Sequence, residues 1–386
     1  MMTLRSPRAA ITLVFASFGA AIGVWAGAIP HVTEASGIDN FQLGLGLTVL
    51  TLATVTLMSL GGAIGRRVSN RAVLLFAIPA FALSTSLLLV SNVPWLFFAS
   101  LVLFGASIGL TDVFMNAEAS AIEHDLRRPI FTAFHGSASA GLPVFAIASS
   151  FISTNIGTFA TSLLVMAAFA VAWLMVYFFV PPRKLTRGRE SSVAILSSRG
   201  PLIIMGLTVG LSISCETAAV FWSAKLLNEQ APSLAAVAGL GTAFYGICNA
   251  GMRFYGDRLR SRFGEMNVMS VSIIFAMAGF AILGLSTSFV LSSVAFAFTG
   301  FGLSLLCPCL FNMAASQMPA NRAAALGFIS IIAGAPRIMA PWVFGWIAAS
   351  QSTSFAFGFC TFALGTAFGL IMLLKNADLE VNTKAA

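Results

Sequence analysis

Three ionisable residues stand where the surrounding sequence offers them no water. Asp112, Glu216 and Arg337 each fall inside a long apolar run. A charge in such a run is costly unless it meets a partner or a wet cavity, so each one reads as a candidate for binding or for moving protons. Asp112 offers a carboxylate to a polar or cationic solute, or to a proton. Its neighbours Thr111 and Asn116 equally suit a structural hydrogen bond. Glu216 follows Cys215 with no cation nearby in sequence. Its charge must be answered from another helix, or else it carries a proton. Arg337 follows Pro336 in the small-residue stretch Ala333-Gly334-Ala335. It suits a pair with Glu216 or Asp112 that is either exchanged for solute or kept as a permanent bridge.

Other residue types fit the same chemistry. His135 titrates near neutral pH and so suits a protonation switch, although a histidine near a helix end is also an ordinary structural residue. Trp25 and Trp222 offer flat faces for the C–H surface of a polyol, or serve as packing and membrane-interface tryptophans. Asn116, Tyr245, Asn249 and Asn312 can supply the neutral hydrogen bonds that a hydroxylated ligand needs. Glu118 opens a loop of mixed charge at 118–128, which reads either as a solvated linker or as a gate pairing with Arg66 or Arg67. Asp257 and Arg258 form a second charged pair of the same kind. No phosphate-cradling loop, zinc spacing or nucleophile elbow is present, so no enzyme, metal or cofactor is expected. The five cysteines, Cys215, Cys248, Cys307, Cys309 and Cys360, all lie in apolar runs and read as small buried hydrophobes.

The elements that must hold these residues follow from composition. Of 386 residues 58% are hydrophobic and only 9% charged, with a mean hydropathy of +0.93. A soluble domain carries roughly 25% charge, so most of this surface must face lipid. A bilayer core needs about 20 apolar residues per helix. Runs of that kind lie near 9–30, 41–64, 72–91, 94–117, 130–152 and 158–181, then near 201–226, 234–256, 267–286, 290–315, 323–348 and 354–375. The fold expected is all-α, with twelve transmembrane helices. A polar stretch at 182–200 divides it into six-helix halves, 1–181 and 201–386.

All of the 21 Lys and Arg except Lys225 and Arg337 fall at the termini, in gaps after an even number of runs or, for Arg253, at the end of the eighth run. The positive-inside rule then places both termini in the cytoplasm. The net charge of +8 is spread along membrane-facing loops, which argues against nucleic acid as a partner. Arg5 and Arg8, an apolar run and then Ala26-Gly27-Ala28 imitate a signal peptide, but cleavage there would leave an odd number of spans. Glycines at 19, 23 and 27, at 105 and 109, and at 206 and 210 make stripes suited to close helix contact.

At this point the chain resembles a known group, the major facilitator superfamily, over its whole length. The sharper resemblance is to the YbjJ-like branch near the fucose-type permeases. It is carried by Gly23-Val24-Trp25-Ala26-Gly27-Ala28-Ile29-Pro30, by Asp112-Val113-Phe114-Met115-Asn116-Ala117-Glu118, by Arg128-Pro129-Ile130 with Phe134-His135-Gly136, by Glu216 before Phe221-Trp222-Ser223, and by Arg253 with Gly256-Asp257-Arg258-Leu259. The chain also resembles MosC-type carriers associated with rhizopine, an amino-inositol. It departs from the superfamily at Gly65, where an Asp is common, and at Phe221 and Glu118, where relatives often carry Asp and Gln.

The resemblance implies a monomeric secondary transporter in a bacterial inner membrane. It implies two pseudo-symmetric six-helix bundles working by rocker-switch alternating access, with protons and a small sugar-, inositol- or amino-inositol-like solute as partners. Asp112, Glu216 and His135 are then the candidates for proton coupling. A drug or metabolite exporter of the same fold, a non-transporting receptor or scaffold, and a channel are the alternatives. Short loops argue against the scaffold, and the lack of half-helices argues against the channel.

Overall fold

The computed structural model describes residues 5–127, 130–184, 199–318 and 322–385; the side chains at 5, 6, 132, 199, 257, 322–324 and 376–385 are not described. Among these residues there is no strand, and twelve helical spans are long and apolar enough to cross a membrane. The first six helices are α1 (Arg5–Ala35), α2 (Asn40–Arg67), α3 (Asn70–Leu89), α4 (Pro94–Leu126), α5 (Phe131–Asn155) and α6 (Thr158–Phe179). They are followed by α7 (Arg199–Gln230), a 3-10 turn at Pro232–Val237, α8 (Leu240–Phe263) and α9 (Glu265–Leu285). The chain ends with α10 (Phe289–Leu303), α11 (Leu306–Gln317), α12 (Arg322–Ser350) and α13 (Thr353–Ala385).

Helices are expected wherever apolar backbone meets lipid, since only a helix satisfies its N–H and C=O groups within one segment. Local chemistry fixes their ends. Asp39 and Gln42 form a reciprocal capping box on α2, and the Ser69 and Ser288 hydroxyls cap α3 and α10. Two spans differ from the sequence expectation. The eighth opens with the 3-10 turn, so its α-helix starts at Leu240 and runs on to Phe263. The tenth is broken into α10 and α11 around Ser304 and Leu305. Pro308 explains the break: it has no N–H to give the Ser304 carbonyl four residues back. The Ser304 hydroxyl instead bonds back to the Phe301 carbonyl at 2.7 Å.

The chain divides into two compact units. The first comprises Met1–Arg187 with Phe221–Gly246, and the second Gly188–Val220 with Ile247–Ala386. In the first unit α1 packs along α5, and α4 packs against both α2 and α3. The α1–α5 contact is set by glycine. A Cβ on Gly19, Gly23 or Gly27 would overlap the carbonyl oxygen of Ala138, Leu142 or Ala146, so two four-residue registers run past each other with backbone touching backbone. Gly105 and Gly109 do the same against Leu50 and Thr54 of α2.

The segment 221–246 joins this unit through α5. The Ser150 hydroxyl donates to the Ala235 carbonyl at 2.8 Å and accepts from the Gly239 N–H at 3.2 Å. A Cβ on Gly239 would also overlap the Ala146 carbonyl. In the second unit α9 packs on α10 and α13, while Gly206 and Gly210 of α7 meet Ile332 and Ala333 of α12.

Gly23→Val is expected to lower the thermal unfolding temperature in detergent, by the ~1–3 kcal/mol that overpacking a tight contact costs. Gly334→Ala, whose added Cβ meets nothing within 4 Å, is expected to leave it unchanged. Equal melting of the two variants and the parent would contradict the backbone contact.

Candidate functional site

Three charged residues of the second unit fall within its apolar spans. Glu216 is 14 residues before the end of α7 at Gln230. Arg337 is 13 residues before the end of α12 at Ser350. At ~1.5 Å per residue both sit roughly 20 Å from those helix ends, close to mid-span. Arg253 lies three residues before Gly256, where the eighth span, Pro232–Gly256, ends. Arg253 Nη2 lies 3.8 Å from Glu216 Oε1, with the arginine side chain 43% and the glutamate side chain 30% exposed. Cys307, two residues into α11, feels the charges of Glu216, Arg253 and Arg337 together. Glu216 and Arg253 are the ion pair of this group, and Cys307 lies in its electrostatic neighbourhood.

Glu216 was expected to have its charge answered from another helix, and Arg253 supplies the answer. Arg253 stands near the end of the eighth apolar run in sequence, and the span Pro232–Gly256 keeps it there; its long side chain reaches Glu216.

In the first unit the Asn116 side-chain amide donates to the Asp112 carbonyl oxygen at 2.8 Å and to its carboxylate at 3.1 Å. The two candidates therefore share one face of α4. Asn116 Oδ1 is buried without a hydrogen-bond partner. His135 packs edge-on to Phe15 at 5.0 Å and beside Phe131 at 5.1 Å. Trp25 is 0% and Trp222 1% exposed, so neither indole face is open in this structure. Trp25 packs on Phe97 and its indole N–H is buried without a partner. Tyr245, in the first unit, and Asn249, in the second, are both buried. Asn312 is drawn elsewhere: its amide donates to Glu265 Oε1 at 2.6 Å, and the same oxygen binds Arg260 at 2.8 Å. That places it at the opening of α9, with the Arg260–Glu265 pair.

The expected pairing of the 118–128 loop with Arg66 or Arg67 is replaced by another. Glu118 is fully buried and receives the Asn70 side-chain amide at 3.3 Å. Arg183, at the start of the central polar stretch, lies 3.6 Å from Glu118 and bonds Asp125 at 2.7 Å. Its carbonyl accepts the Asn70 N–H at 2.6 Å. Arg66 and Arg67 are exposed and join no ion pair among the described residues. The reason is register: α2 ends at Arg67 with both guanidiniums pointing outward, whereas Asn70 and Arg183 reach the buried acid. Arg258 is exposed, and the Asp257 side chain lies outside the described set. Among the described residues no group of three or more His, Cys, Asp or Glu is arranged to hold a metal.

The family model described as Major Facilitator Superfamily matches residues 11–231. An uncharacterised MFS-type transporter of Yersinia pestis is 28% identical over 362 residues, 92% of each chain. The membrane protein MosC of Rhizobium meliloti is 28% identical over 353 residues, 88% of this chain and 83% of its own. Among solved structures, a mutant of the nucleoside transporter NupG aligns with a TM-score of 0.80 at 15% identity, over 95% of this chain and 99% of that one. A D-xylose–proton symporter aligns with a TM-score of 0.76 at 16% identity, over 95% and 96%. At these identities the structural likeness is one of fold.

Arg183→Ala is expected to destabilise the protein by about 1–3 kcal/mol, because it leaves the buried Glu118 carboxylate with one polar partner fewer. Adding Glu118→Gln should recover part of that loss. Thermal melts of the two single variants and the double variant check this, and strictly additive losses would rule out the contact.

Proposed function

Because the chain belongs to the major facilitator superfamily, a family of membrane transporters and not of enzymes, we propose that it is a proton-coupled secondary carrier of a small hydroxylated solute, working by alternating access. The observation that carries the reading is the ion pair that Arg253 makes with Glu216 at mid-span. A carboxylate held loosely by one guanidinium, at a depth where lipid gives charge no solvation, is a group whose protonation changes what its partner can bind. Asp112 with Asn116 is the second candidate, a carboxylate and an amide on one face of α4. The proton coupling and sugar-like cargo named for the xylose symporter, and the nucleoside cargo of NupG, are in keeping with a hydroxylated solute.

The distribution of Arg and Lys supports a bacterial cytoplasmic membrane with both termini inside. The protein works as a monomer in this reading. Docking of 221–246 on α5 is the contact that alternating access must break and remake. It is built from two hydrogen bonds at Ser150 and from Gly239 and Gly246 packed on Ala146, Leu142 and Pro143.

In proteoliposomes an imposed inward proton gradient is expected to drive accumulation of a hydroxylated solute. Glu216→Gln should abolish that accumulation while leaving solute exchange. Undiminished gradient-driven uptake by Glu216→Gln removes Glu216 from the proton path. Absence of uptake for every polyol, sugar and sugar derivative removes the carrier reading.

A further inference from the structure

We propose that the groove between α8, α9 and α10 holds one acyl chain of an anionic phospholipid, whose phosphate is met by Arg262 and Lys375 at the groove's end. All of these residues belong to the second unit, and the site stands whatever solute the protein carries.

The groove consists of two adjoining cavities. One, of about 320 Å³, is lined by Met252, Leu259, Phe263, Asn267 and Val271 together with Phe275 and Phe301. The other, of about 280 Å³, shares Phe275 and Phe301 and continues to Cys248, Ala297 and Phe298. Residues 248, 252, 259 and 263 are spaced by four, seven and four, so they lie on one face of α8. From Phe263 back to Cys248 is 15 residues, about 22 Å at ~1.5 Å per residue. One leaflet supplies about 15 Å of hydrocarbon, half of the ~30 Å core. The groove is therefore long enough for one acyl chain laid along it. Phe263, Val271, Phe275 and Phe298 are exposed, so it opens sideways. Apolar atoms that border a void lose dispersion contacts, and a chain in the groove restores them. Lipid is the solvent at this depth, so an acyl chain is the occupant that the medium supplies.

The headgroup is chosen at the end of the groove. The Arg262 guanidinium sits over the Phe263 ring at 5.3 Å, and the Lys375 ammonium donates to Asn267 Oδ1 at 3.3 Å. Phe263 and Asn267 both line the groove, so each cation is held on one of its walls. Neither cation joins an ion pair among the described residues, whereas Arg260 is bound to Glu265. Gly264 turns the chain from α8 into α9 at φ +77° and offers α9 no side-chain cap. The first N–H groups of α9 therefore add positive partial charge at the same place. Besides Glu265, the acids nearest these cations in sequence are Asp257, Asp378 and Glu380, whose side chains lie outside the described set. What selects the ligand is the place of the two cations on the groove's own lining, not a net charge. The distribution of Arg and Lys supports this end of α8 as cytoplasmic, and anionic headgroups give that leaflet its negative surface.

A second groove of the unit marks the contrast. At the opposite ends of α9 and α13, Ala281, Leu285, Phe355 and Phe362 line a cavity of about 280 Å³ with no Lys or Arg on its walls. Lipid of any headgroup suits that one.

The test is native mass spectrometry of the purified, delipidated full chain, titrated with phosphatidylglycerol or with phosphatidylcholine of the same acyl chains. A cation near the membrane surface contributes about fivefold to binding an anionic lipid, so two predict a preference for phosphatidylglycerol of roughly twentyfold or more. Arg262→Gln with Lys375→Gln should bring that preference close to unity. Arg8→Gln with Lys184→Gln, which removes two exposed cations of the first unit, should keep it. Val271→Trp and Ala297→Phe each fill the groove and should lower phosphatidylglycerol affinity about tenfold. Melting in lipid-free detergent shows which variants fold, and the paired cation variants decide the outcome if neither groove variant does.

Equal affinity for the two lipids overturns the proposal. So does an equal loss of preference in the two double variants, which marks a general effect of surface charge, or undiminished affinity in a folded groove variant. Glycerol 3-phosphate that matches the affinity of phosphatidylglycerol and displaces it replaces the lipid with a free phosphate and overturns the acyl-chain assignment.

Discussion

Lipid gives a charge nothing to bind, and the rest of this molecule is arranged around that fact. Backbone groups are satisfied inside helices, and hydroxyls in the spans bond back to carbonyls one turn away, as Thr208, Ser212 and Thr217 of α7 do. A carboxylate has no such local remedy. Glu216 is met instead from α8 by Arg253. Two helices must converge for one acid to be tolerated.

Hydropathy made the architecture legible because lipid imposes it so strictly. Twelve apolar runs became twelve spans among the described residues. What the sequence left hidden was anything decided by a few hydrogen bonds. The turn at Pro232–Val237 is as apolar as the helix that follows, so the start of α8 at Leu240 could not be read from hydropathy. The break between α10 and α11 hangs on a single missing N–H at Pro308. Asn312 looked like a ligand-binding amide, and is drawn to Glu265 47 residues away. The tryptophans illustrate the same limit. A ring late in an apolar run has the same sequence signature whether it faces a solute or, like Trp25 against Phe97, the core.

At the end of α2, Arg66 and Arg67 follow Gly65, have no carboxylate beside them in sequence and are exposed. The buried acid of this region is Glu118, and its partners come from the start of α3 and from the chain leaving α6. Asn70 contributes twice, through its side-chain amide to Glu118 and through its N–H to the Arg183 carbonyl. The central polar stretch is therefore tied at its first residues to the first unit, which fixes where the chain leaves that unit.

The carbonyl of Ala146 sets the mechanics of α5. It is approached from one side by Gly27 and from another by Gly239. The first contact belongs to a long register, repeated at Gly19 and Gly23 and reinforced by the Ser149 hydroxyl on the Val24 carbonyl at 2.7 Å. Opening it would separate two whole helices. The second runs from Gly239 on the Ala146 carbonyl to Gly246 on Leu142 and Pro143, with a serine that both gives and takes a hydrogen bond. Each of Ser150's bonds is worth only ~0.5–1.5 kcal/mol where solvent competes for it. One helix, α5, thus offers backbone carbonyls to two neighbours at once, and small residues on both sides are what make that possible.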